Sequence, residues 1–359
     1  MSSTTDESTH GGGVPVDIKK SDYTIEAFED YDEIRNYLNT PETANTHRQE
    51  KKDEIMDAIQ DHGDGLRPII HVLGRAPGGT RVHLRVHGVR PYFYVPYEEF
   101  GEEIQQDSKV TGWEKGHENI QGDHMVRVYT RIPGDVPKIR GDYEHHEADI
   151  MFPNRFMIDH GLEGSIRVPE GHVGPEPSDI TLDEVQEAQY DESNRVCFCD
   201  IEVDDSKGFP DEDRAEKEVI SITVYDSYTE EYKIFLYHPE LPEVSHGNAE
   251  VRVYLAEEFM LKAFCDYMRE RDFDVITGWN FTDFDSRYLV NRLDKLENDE
   301  EDPIVEKSDM SNLDSVYDDG YFGAKIKGTT VFDLLRAYKN LQLTELDSYS
   351  LEDVAQEEL

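Results

Sequence analysis

Asp200 and Glu202 stand two residues apart inside an apolar run, Arg195-Val-Cys-Phe-Cys-Asp200-Ile-Glu202-Val203. Side chains on a strand alternate between faces, so both carboxylates point the same way with Val196 and Phe198, while Cys197, Cys199, Ile201 and Val203 take the other face. Oxygen donors of this kind suit Mg²⁺ or Mn²⁺, hard cations that accept one or two protein carboxylates and complete their shell with water and substrate phosphates. Spacing alone carries no weight, because 80 acids in 359 residues put an acid at both i and i+2 at about 18 places by chance. Context does: a charge inside an apolar strand costs several kcal/mol unless it is paired or bound to metal.

A third acid comes from Asn280-Phe-Thr-Asp-Phe284-Asp285, which joins the apolar run Phe273-Asp-Val-Ile-Thr-Gly-Trp279 to a helix-like segment. Thr282 suits an N-cap, and Asp285 then falls at the third helical position, as in a capping box with Asp in place of Glu. A carboxylate at a helix N-terminus is also kept ionised by the macrodipole, which a metal ligand requires. His145 and His146 beside Glu147 and Asp149 read as a loop rather than a metal cluster.

The elements that must hold these residues are legible in outline. Residues 1–20 are small, polar and Gly-rich and read as a disordered tail. From Asp22 to His62 the chain is acidic and helix-permissive. Runs over 68–75 and 80–88 flank Ala76-Pro-Gly-Gly79 and predict a hairpin, with further strands over 90–96 and 124–131 and helical composition from Glu98 to Gln106. Residues 165–192, rich in Pro, Gly and acid, predict a boundary between a mixed domain over 21–190 and a second domain over 191–359. In the second domain the strand over 196–203 is followed by strands over 218–225 and 231–237. A helix is expected from about Val253 to Arg271 with Leu255, Phe259, Ala263 and Tyr267 on its inner stripe, then a strand over 273–279. This order predicts a mixed α/β fold, a sheet covered by helices.

The chain resembles the amino-terminal part of an archaeal family B DNA polymerase, and its charge suggests a halophile. Asp200-Ile-Glu202 matches the first exonuclease motif of that family, D-x-E, and Asn280-Phe-Thr-Asp-Phe284-Asp285 matches the second, N-x-x-x-F-D. Arg90-Pro-Tyr-Phe-Tyr, Pro133-Gly-Asp-Val-Pro and Glu147-Ala-Asp-Ile through Asp159 resemble landmarks of its amino-terminal domain. Gly328 to Leu335 and Tyr349-Ser-Leu-Glu-Asp-Val-Ala resemble the approach to the third exonuclease motif. The resemblance implies a ribonuclease H-like 3′→5′ proofreading exonuclease domain over 191–359, preceded by a template-reading amino-terminal domain. It implies two Mg²⁺ (or Mn²⁺) ions held by Asp200, Glu202 and Asp285, and Asn280 and Phe284 shaping a channel for the single-stranded 3′ end. A uracil-reading pocket would involve Pro91, Tyr92, Pro133, Val136, Ile150, Phe152 and Arg155. The implied partners are DNA, the remaining polymerase polypeptide and, through that, a sliding clamp. The third motif, Y-x-x-x-D, and the polymerase palm are expected after Leu359, which predicts weak or no activity for this piece alone. Tyr317-Asp-Asp-Gly is expected to be a turn. The rival readings are a stand-alone metal-dependent nuclease and a non-catalytic nucleic-acid-binding module.

Composition sets the conditions. The net charge of −44, from 36 basic and 80 acidic residues, fits a protein built for molar salt, where the Debye length shrinks to about 3 Å and self-repulsion is screened. Such screening also removes the objection that an acidic chain should avoid DNA. Three cysteines without a C-x-x-C favour neither zinc nor disulfides and fit a reducing cytoplasm, and neither a signal peptide nor a membrane span is expected. Folding should therefore require molar KCl or NaCl. Circular dichroism spectra and melting points that do not change between dilute buffer and molar salt would contradict this.

Overall fold

The computed structural model describes residues 13–27, 65–206, 208–240, 246–299, 301–318, 323–342 and 345–359. The chain divides into two compact units, Met1–Glu192 and Ser193–Leu359.

The first unit holds strands β1 (Val14–Ala27), β2 (Leu66–Ala76), β3 (Thr80–Val86), β4 (Tyr92–Pro96), β5 (Val110–Glu118), β6 (His124–Thr130), β7 (Ser165–Val168), β8 (Gly174–Ile180) and β9 (Gln186–Glu187). They form a six-stranded sheet in the order β8-β3-β2-β1-β7-β9 and a three-stranded sheet β4-β6-β5. The hairpin across Ala76-Pro-Gly-Gly79 forms as its turn composition dictates, with Ala76 opposite Thr80. Two expectations are corrected. Val14 to Lys20, assigned to a disordered tail, lie in β1, which pairs with β2 and β7. The Val16 side chain is fully buried in the core of that sheet, so this segment does have something to bury. The other part of that tail, 1–12, and residues 28–62 of the helix-permissive stretch lie outside the described residues. Residues 22–27 of the helix-permissive stretch also lie in β1, while 165–192, which run up to the boundary between the two units, supply β7, β8 and β9. Pro175 and Pro177 sit on the edge strand β8, where a missing amide is tolerated, and Pro169 lies outside any strand.

The second unit is built on one mixed sheet, from β10 (Val196–Val203), β11 (Val219–Asp226), β12 (Glu231–Tyr237), β13 (Glu250–Tyr254), β14 (Val275–Gly278) and β17 (Thr330–Asp333), ordered β13-β12-β11-β10-β14-β17. A small hairpin, β15 (Val316–Asp318) with β16 (Ala324–Ile326), lies between them in sequence. Tyr317 and Asp318, expected in a turn, belong to β15, and the two residues that follow lie outside the described ones. The strand β10 alternates as its sequence requires. Cys197, Cys199, Ile201 and Val203 are buried in the core, and Phe198, Asp200 and Glu202 are exposed on the other face.

The helix expected from Val253 begins at Glu257 and ends at Arg271, because Val251 and Val253 join β13 against β12 instead. Its inner face is also different. Met260, Leu261, Phe264, Cys265 and Met268 are buried, whereas Leu255 and Phe259 are more than half exposed. Leu255 precedes the helix and Phe259 falls on its outer side, while Tyr267 is buried and Ala263 packs against the core as expected. The helix Asp285–Asp299 adds Tyr288, Leu289 and Leu293 to the same core. Full burial of such side chains stabilises by about 1.5–3 kcal/mol each. Glu257 and Arg292 link the two helices through a buried pair, with contacts of 2.9 and 2.6 Å, while Glu257 also accepts from the Val219 amide at 2.7 Å.

Gly278 sets how closely β14 approaches β10. A Cβ there would stand 2.4 Å from the Cys199 carbonyl oxygen, which is backbone and cannot move aside. Gly278→Ala should therefore destabilise the chain by about 1–3 kcal/mol, measured as a fall in the denaturation midpoint in molar salt. An unchanged midpoint would show that the two strands have slack.

Candidate active site

Parallel pairing of β14 with β10 ends at Phe198 opposite Thr277. Beyond Gly278 the chain turns through Asn280, which adopts a left-handed φ of 60°, a conformation open to Asn at small cost. Phe284 N–H and Ser286 N–H donate to Asn280 and Phe281 carbonyls at 3.1 and 2.8 Å, and the helix opens at Asp285. This differs from the capping box read in the sequence. Thr282 gives its hydroxyl to Asp333 Oδ2 at 2.9 Å rather than to the helix, so Asp285 is the first helical residue and not the third.

The turn brings Asp285 beside β10. Its Oδ1 accepts a hydrogen bond from the Ile201 amide at 3.1 Å. Asp285 is 5% exposed. Burial, and secondarily the neighbouring Asp200 and Asp333 charges, push its carboxyl up to about 7 against the pull of backbone hydrogen bonds. Desolvation also raises the Asp200 carboxyl above its ordinary value.

Asp200 and Asp285 line one cleft of about 480 Å³, with Ile201, Phe209, Glu212, Trp279, Asn280, Asp283 and Phe284 as the other walls. Four of the expected site residues, Asp200, Asp285, Asn280 and Phe284, are thus brought together. Glu202 shares the exposed face of β10 but is not part of the cleft wall, and it sits at a break in the β10–β11 register between Glu202 and Val203. Among the described residues no group of three or more His, Cys, Asp or Glu side chains is arranged to hold a metal ion. The oxygen donors of Asp200 and Asp285 suit a hard cation whose shell is completed by water and phosphate oxygens.

Sequence reasoning missed Phe209, Glu212, Trp279 and Asp283. Trp279 and Asp283 adjoin the second motif and could have been found by extending it. Phe209 and Glu212 lie in an acidic loop whose path no local pattern specifies, and Phe209 reaches the cleft with its ring centroid 6.2 Å from that of Phe284.

The seven residues of the expected uracil pocket all lie in the first unit, some of them in its two hydrophobic clusters. Val136 belongs to the core of the three-stranded sheet, and Phe152 to that of the six-stranded sheet, where it packs edge-on against Tyr23 at 5.6 Å. Pro91 is buried and its carbonyl accepts from Thr130, while Pro133 and Ile150 are half-buried. The Tyr92 ring lies between the guanidinium groups of Arg127 and Arg155, at 4.5 and 4.8 Å, and its hydroxyl donates to Asp159 at 2.7 Å. Arg155 pairs with Glu147 at 2.7 Å.

Comparison with known proteins decides the family. The sequence model of the DNA polymerase family B exonuclease domain matches residues 143–354, more than half of the chain. The chain belongs to that family. It is 30% identical over 191 residues to the DNA-directed DNA polymerase of Enterobacteria phage T4, covering 46% of this chain and 21% of the relative. It is 28% identical over 328 residues to a DNA polymerase of Pyrococcus glycovorans, covering 84% and 36%. It is 24% identical to the DNA polymerase delta catalytic subunit of Arabidopsis thaliana, covering 81% and 32%. The solved structure of the family B DNA polymerase from Pyrobaculum calidifontis shares its fold, with a TM-score of 0.59 at 24% identity over 78% of this chain and 37% of that one. The chain thus spans about a fifth to a third of the length of these relatives. The mixed sheet with flanking helices is the ribonuclease H-like arrangement expected of a family B exonuclease domain.

The raised carboxyl of Asp285 has a consequence for the chain in chelator. A folded-state value above the ordinary 3.8 means that the folded protein holds the extra proton. The associated stability is complete below 3.8 and is lost as pH rises through about 7. Asp285→Asn, which cannot ionise, should gain on the parent chain across that window, by about 1–4 kcal/mol above it. Denaturation curves of both proteins at several pH values check this, and a difference that does not vary with pH would contradict it.

Proposed function

We propose that the chain carries the 3′→5′ proofreading exonuclease region of a family B DNA polymerase, acting on the single-stranded 3′ end of DNA. The observation that carries this reading is the convergence of Asp200 and Asp285, from the D-x-E and N-x-x-x-F-D motifs, on one cleft that Asn280 and Phe284 also line. Mg²⁺ or Mn²⁺ bound there would polarise the scissile phosphodiester and lower the pKa of an attacking water. Asp200 and Asp285 are the residues placed to hold it, and Glu202 is the next carboxylate on the same strand face.

The chain's own residues then have separable roles. Asp200 projects from β10, where it is held opposite Thr223 of β11 just beyond the point at which pairing with β14 ends. Asp285 is aimed by the Ile201 amide, so a bound cation would meet a preset carboxylate rather than a mobile one. Phe284, Phe209 and Trp279 give the cleft apolar walls on which a terminal base could stack, an interaction worth about 1–3 kcal/mol per base. Asn280 offers an amide in the same wall.

The partners proposed are DNA and the rest of a polymerase, and the excess of acid supports a protein adapted to high salt. A third-motif acid would complete the donor set.

The test is release of mononucleotides from a 3′-labelled single-stranded oligonucleotide in molar salt, with Mg²⁺, Mn²⁺ or chelator. A chain extended through a Y-x-x-x-D segment should be faster than this one. Asp200→Ala in the extended chain should cost more than the roughly 10–100-fold typical of losing an outer-shell partner. Equal and chelator-resistant activity in every version would remove the carboxylates from the chemistry. Tight binding of the oligonucleotide without any cleavage, even in the extended chain, would favour a non-catalytic binding module.

A further inference from the structure

We propose that Asp333 is a positioning residue for this site, a role that rests on the function proposed above and acts through the loop that delivers Asp285. Asp333 ends β17, where it pairs with Gly278 of β14, and its carboxylate is 5% exposed. Oδ2 accepts from both the amide and the hydroxyl of Thr282, at 2.8 and 2.9 Å. Oδ1 accepts from the Arg336 amide at 2.9 Å and so caps the helix Leu334–Leu341. The Arg336 guanidinium in turn pairs with Asp283. From another side, Gly323 lies so close that a Cβ would stand 2.4 Å from the Thr282 carbonyl oxygen.

Thr282 is therefore gripped by side chain and by backbone, three residues before Asp285, in a turn already closed by the hydrogen bonds to Asn280 and Phe281. Asp333 itself is not part of the cleft wall. Its negative charge works against ionised Asp285, so its service to the site is geometric and not electrostatic.

The experiment compares the parent chain with Asp333→Asn, Thr282→Val and the double variant. It follows nucleotide release from a 3′-labelled oligonucleotide in molar salt as a function of Mn²⁺, together with Mn²⁺ binding by calorimetry and melting temperature. Asp333→Asn keeps the size and one acceptor but cannot accept from Thr282 and Arg336 at once. A displacement of Asp285 on the order of 1 Å should lower kcat by about 10- to 100-fold. The Mn²⁺ requirement should rise, while KM for the oligonucleotide stays within about twofold, since the cleft walls are untouched. Thr282→Val should move the same quantities in the same direction. The double variant should be no worse than Asp333→Asn alone, because both changes remove one contact.

Variants with the parent's kcat and Mn²⁺ dependence would overturn the inference while leaving the nuclease reading intact. So would losses that follow melting temperature and vanish on cooling, the mark of a merely structural residue. A chain that neither binds Mn²⁺ nor releases nucleotide, even when extended through a Y-x-x-x-D segment, would instead bring down the proposed function, and this inference with it.

Discussion

The hydrogen bond from the Ile201 amide to Asp285 Oδ1 joins two motifs 84 positions apart, and the arrangement of the second unit can be read outward from it. It exists because β14 stops pairing with β10 at Phe198 and leaves the next stretch of the strand edge without a neighbour. A buried backbone donor must find an acceptor, and the carboxylate of Asp285 fills the place that a longer β14 would have taken. Gly278 permits the close approach, Asn280 turns the chain, and the helix Asp285–Asp299 then starts where its first side chain meets the strand. One shortened strand thus produces both a gap in the sheet and the acid that occupies it.

Electrostatics and packing pull in opposite directions at this point. Asp200, Glu212, Asp283 and Asp285 all line the cleft. Burial and mutual repulsion make the ionised form of Asp285 costly, so the fold holds this group in a state of electrostatic tension. A proton relieves such tension below about 7, and above it a divalent cation would do so between two carboxylates without moving the backbone. Arg336 relieves part of it at the rim through Asp283, which leaves Asp200 and Asp285 as the inner pair.

The sequence made the central strand and the two motif acids legible because their signals are local. Strict alternation in β10 and the step from the apolar run over 273–279 to a helix-like segment each fit within a window of about ten residues. What escaped was long-range or a matter of phase. Val14 to Lys20 contain only three aliphatic side chains, Val14, Val16 and Ile18, and their strand is specified by β2 and β7 on either side of it. The helix over 257–271 was recognisable, but Leu255 and Phe259 were assigned to its inner face because a strict i+4 repeat drifts around a helix of 3.6 residues per turn, so that Tyr267 is buried where Phe259 is exposed. Thr282 looked like a cap because its true partner, Asp333, lies 51 positions downstream. Glu202 shows the reverse failure, since alternation put it on the right face without showing that the cleft lies to one side of it.

The back of β10 offers a different kind of information. Cys197 and Cys199 are almost wholly buried behind Asp200, Cys265 is buried in the helix that covers them, and burial pushes all three thiols well above their ordinary value. An alkylating reagent needs both access and thiolate, and neither is offered while the sheet is closed. These three sulfurs are therefore a built-in reporter: their labelling rate counts openings of the strand on which Asp200 is mounted, with no probe added to the surface.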